Sequence, residues 1–150
     1  GFVDMRVVIQ RVSRAELKVE NLVTHTMGIG LVILVGFCTN DTIEHVTYIA
    51  NKIAKMRVFP DADGKTNLSL NQVSGSMMSV SQFTLYGDMK DGSRPSFTNA
   101  LGTEEASELY DHFNRLLSRL TGMVIKCGVF GAHMQVEMVT DGPFTLIIER

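Results

Sequence analysis

The sequence predicts an α+β domain: a curled or barrel-like, mostly antiparallel or mixed β-sheet packed by two helices. Three observations predict it. Apolar, β-branched runs bounded by glycine fill the first third of the chain, the pattern of strands buried on both faces. Two later segments repeat apolar residues at helical spacing. The final stretch breaks into short strand-like pieces separated by Gly and Pro. Strands, helix, strand, helix and strands in that order fit an α+β layering. At 150 residues, a single domain with a real core is expected. That domain is residues 5–150. Gly1–Asp4 precede Met5, which reads as the natural start, and are set aside from function.

Each element follows from local pattern. Arg6–Val12 is rich in Val and Ile, Glu16–Val19 alternates, and Leu31–Phe37 is a continuous apolar run. Gly28–Ile29–Gly30 reads as a turn leading into that run. Asp41 and Glu44 form a start close to a capping box. Ile43, Val46, Ala50, Ile53 and Ala54 then recur at helical spacing. The helix stops before Val58–Phe59–Pro60, because Pro cannot continue it and restricts its predecessor. Asp61–Gly64 reads as a turn. Met77–Tyr86 is a second strand region, and Gly87–Gly102 is loop-like, with Asp91–Gly92 and Arg94–Pro95 as turn signals. Thr103 caps the second helix, with Glu104 and Glu105 at the positive end of its dipole. Ala106, Leu109, Tyr110, Phe113, Leu116, Leu117 and Leu120 form its apolar stripe, and Gly122 ends it. Val124–Lys126, Gln135–Val139 and Phe144–Ile148 read as three closing strands, the last two linked by Asp141–Gly142–Pro143.

Composition excludes several classes. Hydrophobic residues at 45% and charged residues at 20% describe an ordinary soluble domain. The longest apolar stretch, Gly28–Cys38, is too short to span a membrane. No secretory signal pattern opens the chain, so a cytoplasmic location is expected. Cys38 and Cys127 form no CxxC pair, and no His cluster has zinc spacing. Two buried free thiols, no metal and no cofactor are the expectation. A net charge of −2 argues against a tight, non-specific nucleic-acid binder. It leaves room for local basic groups at Lys52, Lys55 and Arg57, at Lys90 and Arg94, and at Arg115 and Arg119.

Standard catalytic signatures, such as the G-x-S-x-G elbow, the P-loop and HExxH, are missing. His45 and His112 fall off the apolar stripes and read as exposed surface. His25 sits in a strand or turn. His133 lies between short strands, where it either joins a site or does nothing. Ser81–Gln82–Phe83–Thr84–Leu85–Tyr86 is a polar cluster inside an apolar strand. Alternation places Val80, Gln82 and Thr84 on one face. Buried Gln and Thr need partners; a strand with a solvated face accounts for the pattern as well. In Asp141–Gly142–Pro143–Phe144–Thr145, a Pro between strands costs a ladder hydrogen bond. The general expectation there is a plain turn with a trans peptide.

Taken in order, Ser81–Tyr86, Arg94–Pro95–Ser96–Phe97, Phe130–Gly131–Ala132, and Asp141–Gly142–Pro143 followed by Thr145 form a specific set. The opening Met5–Arg14, reading MRVVIQRVSR, belongs with them. Together they resemble the D-aminoacyl-tRNA deacylase family, also called the D-tyrosyl-tRNA deacylases. The likeness covers essentially all of Met5–Arg150. His133 stands where the family usually has Asp, and Thr140 where it usually has Asn.

The resemblance implies ester hydrolysis of D-aminoacyl-tRNA by a homodimer with its active sites at the subunit interface. Ser81, Gln82, Phe83 and Thr84 would form the catalytic wall. Gly142 and Pro143 would reach in from the other subunit as a cis peptide, grip the substrate α-amino group and exclude an L side chain. Phe130, Met134, Arg94, Pro95 and Phe97 would complete substrate binding. Glycine has no side chain to clash, so removal of glycine from mischarged tRNA is implied too. Backbone N–H groups near Phe83 and Thr84 would stabilise the oxyanion, and the ribose 2′-hydroxyl of the substrate would help activate water. Thr84 is the hydroxyl one would propose as a nucleophile, but no residue is designated as its base. Two other classes stay open: a non-enzymatic module binding a nucleotide or RNA end, and a hydrolase of small D-amino-acid esters.

Overall fold

The computed structural model describes residues 5–150; Gly1–Asp4 lie outside them. The spine is β1 (Arg6–Val19), a single strand where the sequence suggests two pieces. The exposed pair Ser13–Arg14 interrupts its apolar alternation. The register against the last strand shifts there rather than the strand ending. A tight turn at Glu20 and Asn21, both with positive φ, leads into β2 (Leu22–Met27). The sequence reading missed β2 because it presents Leu22 and Val23 to solvent and has no apolar period. Next come β3 (Gly30–Gly36), α1 (Ile43–Ala54), and the hairpin of β4 (Arg57–Pro60) and β5 (Thr66–Ser69) around the expected Asp61–Gly64 turn. β6 (Ser76–Ser81), α2 (Thr103–Thr121), β7 (Lys126–Cys127) and β8 (Met134–Glu149) complete the chain.

The main sheet runs β2-β1-β3-β6-β7, with β8 also on β1. One edge of β1 is shared by β3 and β2, and its other edge is taken by β8 along nearly its whole length. β3–β6 and β6–β7 are parallel; the pairs made by β1 are antiparallel. The result is the expected mixed sheet, nearly closed into a barrel and packed by two helices.

Period-two alternation explains two cores. Val7, Ile9, Leu31, Ile33 and Met77 face α1 and α2, where Val46, Ile49, Ile53, Tyr110, Phe113 and Leu117 are buried. Val12, Leu17, Val32, Met78 and Val80 face the other way and pack with Met134, Val136 and Met138. The continuous apolar run at β3 is thus buried on both faces, as its composition predicts. Each such large side chain contributes about 1.5–3 kcal/mol.

Several expectations need correction. The strand expected over Met77–Tyr86 ends at Ser81, and Phe83–Tyr86 form a 3₁₀ turn. Gln82 and Thr84 therefore do not alternate along a strand face. The two strands expected around Asp141–Pro143 are one strand, β8, with a bulge. Thr42 caps α1, and α2 starts from Gly102 with Thr103 already helical. His45 is not free surface: its Nδ1 lies 3.1 Å from Asp41 Oδ1. Ile43 and Leu120, expected on apolar stripes, are exposed. Both cysteines are free but only partly buried.

Candidate active site

β3 and β6 run parallel, so their carboxyl ends lie side by side and open a crevice. The last rung is Gln82 N–H to Val35 O at 2.8 Å. Beyond it the chain folds into the 3₁₀ turn rather than continuing the sheet. Gly36 lets it do so. A Cβ there would lie 3.0 Å from Tyr86 Cε2, 3.1 Å from Gln82 O and 3.2 Å from Leu85 Cβ. The turn is stacked directly on the glycine.

The crevice deepens into a cavity of about 580 Å³. Val35–Phe37 and Val80–Phe83 form one wall, the segment from Phe97 to Ala106 at the start of α2 forms another, and Phe130–Met134 with Val136 forms the third. A mostly apolar hollow with a few polar groups suits a small organic end group. Phe83 stands at the rim, 56% exposed, with its ring edge-on to Phe97 at 4.9 Å. Gln82 Nε2 donates to Thr84 Oγ1. No imidazole or carboxylate among the described residues hydrogen-bonds Thr84. The amides of Phe83 and Thr84 open the 3₁₀ turn and find no acceptor among the described residues, as the first N–H groups of any helical segment do.

Behind the cavity, the Phe130 ring lies 6.1 Å from that of Tyr110. The Tyr110 hydroxyl donates to Ser79 O at 2.6 Å, and burial pushes its pKa up to about 12. The His133 segment is pinned to the β1–β2 turn: His133 N–H donates to Glu20 Oε1 (3.1 Å) and Glu20 N–H to His133 O (3.0 Å).

A second feature lies on β8. Val12 pairs with Thr140 and Gln10 with Thr145, so Asp141–Phe144 bulge opposite Arg11 alone. The Gly142–Pro143 peptide is cis, and Gly142 has φ +125°, a conformation that side chains disfavour. Arg11 holds the bulge. Its Nη1 donates to Val58 O at 2.8 Å and its Nε to Asp141 O at 3.2 Å. Its guanidinium lies 4.6 Å from the centre of the Phe144 ring. Thr145 Oγ1 donates to Gln10 Oε1 at 2.7 Å.

The structure therefore brings together Ser81, Gln82, Phe83, Phe97, Phe130 and Met134 around one cavity. Thr84 stands one residue beyond the lining. Arg94 and Pro95 are exposed on the loop that the Asp88–Ser96 bridge closes. Gly142 and Pro143 are exposed and do not line the cavity of their own chain. Sequence reasoning missed Gly36 and the wall at Ala100, Gly102 and Ala106. Small residues flanking a helix start were the available signal. Among the described residues, no group of three His, Cys, Asp or Glu side chains could hold a metal ion, and no helix is long and apolar enough to cross a membrane.

Known proteins share this arrangement. A model of the family described as D-Tyr-tRNA(Tyr) deacylase matches residues 8–149. The chain is 49% identical over 146 residues to a D-aminoacyl-tRNA deacylase of Exiguobacterium sibiricum, covering 97% of this chain and 100% of that one. A protein of the same name from Clostridium perfringens is 47% identical over 145 residues, 97% of each chain. Among solved structures, the c-Myc DNA Unwinding Element Binding Protein superposes with a TM-score of 0.89 at 35% identity, covering 97% of this chain and 98% of that chain. A probable eukaryotic D-amino acid tRNA deacylase superposes with a TM-score of 0.86 at 18% identity, a likeness of fold. With nearly its full length matched and its cavity formed by the marked segments, the chain belongs to the D-Tyr-tRNA(Tyr) deacylase family.

Proposed function

We propose that this protein hydrolyses the ester of D-aminoacyl-tRNA, releasing free D-amino acid and tRNA, and so proofreads chirality in translation. The observation that carries the reading is the convergence of Ser81, Gln82, Phe83, Phe97 and Phe130 on one cavity in a member of this family. The aminoacyl-adenosine end enters the cavity. The amides of Phe83 and Thr84 receive the developing oxyanion, where fixed donors act without reorganising. The 2′-hydroxyl beside the ester assists the attacking water, since no basic side chain among the described residues hydrogen-bonds Thr84 to activate it.

The working unit in this reading is a cytoplasmic homodimer with a site at each end of its interface. The exposed Gly142–Pro143 bulge of one chain reaches the cavity of the other, engages the α-amino group and leaves no room for an L side chain. Glycyl-tRNA passes the same filter. Arg94 and Pro95 lie outside the rim, where they would meet the adenosine and its phosphates rather than the ester, while Thr84 acts through its amide and keeps its side chain beyond the lining.

Incubation with D-Tyr-tRNA and L-Tyr-tRNA, following ester loss, tests the reading. The D ester is lost, the L ester persists, and D-tyrosine methyl ester without tRNA is untouched. A second reading, nucleic-acid binding without turnover, is favoured by the likeness to the c-Myc DNA Unwinding Element Binding Protein. It predicts tRNA binding with both esters intact.

A further inference from the structure

We propose that Arg6 is a positioning residue for the catalytic rim: its guanidinium fixes the 3₁₀ turn that carries the free amides of Phe83 and Thr84. The proposal rests on the reading of that rim as the place where the ester is cut. The turn has left the sheet, and its own bonds do not anchor it to anything else. Leu85 N–H reaches Gln82 O at 3.3 Å and Gly87 N–H reaches Thr84 O at 3.0 Å, both inside the turn. Its place over the sheet must come from outside contacts.

Arg6 supplies one from directly beneath. In the β1–β3 register it pairs with Gly36, the residue under the turn. Its Nη1 donates to Leu85 O at 2.7 Å, and its guanidinium lies 5.2 Å from the Tyr86 ring centre. Its Nε donates to Glu149 Oε1 at 2.8 Å on β8. The fork is thus divided between a carboxylate on one strand and a carbonyl of the turn, which the point charge of Lys cannot serve together. The ion pair is partly exposed on both sides, where such pairs add little stability. Its use is to aim the guanidinium. A misplacement of about 1 Å at a reacting centre can cost about a hundredfold in rate.

Single-turnover hydrolysis of D-Tyr-tRNA, with KM and thermal midpoint in parallel, tests this. Arg6→Met lowers the single-turnover rate about tenfold or more, about 1.4 kcal/mol per tenfold, while KM stays within about twofold. Arg6→Lys falls between Arg6→Met and wild type. Glu149→Gln keeps a near-normal rate, because the amide oxygen still accepts from Nε. The exchange Arg6→Glu with Glu149→Arg restores the ion pair but leaves Leu85 O without its donor, so the rate stays low while the thermal midpoint recovers. A folded Arg6→Met variant with a wild-type rate overturns the proposal, and so does an exchange that restores the rate. If Arg6→Met does not fold, the exchange variant decides. Failure of the underlying reading looks different: the wild-type chain itself leaves the D ester intact, and both fall.

Discussion

The rim at Ser81–Thr84 and the bulge at Asp141–Phe144 are each tied by one arginine, Arg6 or Arg11, but stand in opposite surroundings. Around the rim the surroundings are packed: a turn stacked on a glycine, a buried tyrosine, an aromatic pair over an apolar hollow. The bulge is held by polar contacts from one arginine and stands open to solvent. A packed rim next to a cavity can recognise a ligand within its own chain. An exposed, tightly held backbone loop that faces no cavity of its own has the form of a part made for another surface. The contrast is what makes a shared, two-chain site the natural reading.

Mixing variants tests that contrast most severely. Gly142→Ala puts a Cβ 3.0 Å from Phe144 N at a φ of +125°, and hydrolysis of D-Tyr-tRNA should fall by about a hundredfold or more. A rim variant such as Gln82→Ala with Phe83→Ala should be comparably weak. Unfolded together and refolded, the two should recover roughly a quarter of wild-type activity, since half the dimers are mixed and each has one intact site. No recovery from well-folded mixed dimers would leave the bulge without its proposed role. Sedimentation of the wild type should give about twice the 16.6 kDa chain mass.

Arg11→Met removes the hydrogen bond to the bulge at Asp141 O and the one that anchors the guanidinium to Val58 O. We expect about a tenfold loss of single-turnover rate and about 1–3 kcal/mol of stability, read from urea midpoints, with Val58 O and Asp141 O left without their donor. Gly36→Ala presses on Tyr86 and Gln82 and should cost about 1–3 kcal/mol, with weaker discrimination between D and L esters. Thr84→Ala should keep the rate within about threefold, whereas a 2′-deoxy tRNA terminus abolishes hydrolysis; a thousandfold loss in Thr84→Ala would make Thr84 a nucleophile.

The smallest effect lies away from both regions. Burial lifts the Cys127 thiol from 9.0 to about 11. The unfolded chain therefore gives up this proton first as pH rises, and native stability is fully present below pH 9 and declines toward pH 11. Cys127→Ala should flatten the start of that decline in denaturation midpoints measured across the alkaline range.

Much of this was legible beforehand, for definite reasons. The α2 stripe and its Gly122 stop obey local rules, and β3 reads as doubly buried because every position from Leu31 to Val35 is apolar. β2 was hidden, because an edge strand with Leu22 and Val23 in solvent carries no period. The 3₁₀ turn was hidden because Phe83, Thr84 and Tyr86 have strand propensities that the stacking on Gly36 overrides. The bulge was mistaken for a turn because Gly-Pro signals a break locally. Only the β1 register shows that the strand resumes on the same line. Site residues near in sequence could be grouped by pattern. The wall at the start of α2 could not, since tertiary packing alone brings it to the cavity.

The pairing of β1 with β8 has a consequence for how the molecule comes into being. Arg6 sits opposite Glu149 and Val19 opposite Met134, so the first strand waits for the last. During synthesis, β2 and β3 can cover one side of β1 early. Its second side stays an open edge, apt to pair with whatever strand it meets, until β8 emerges. Such distant pairing slows folding. A chain cut short near its end would lose the Arg11-held loop and the closure of the sheet in the same stroke.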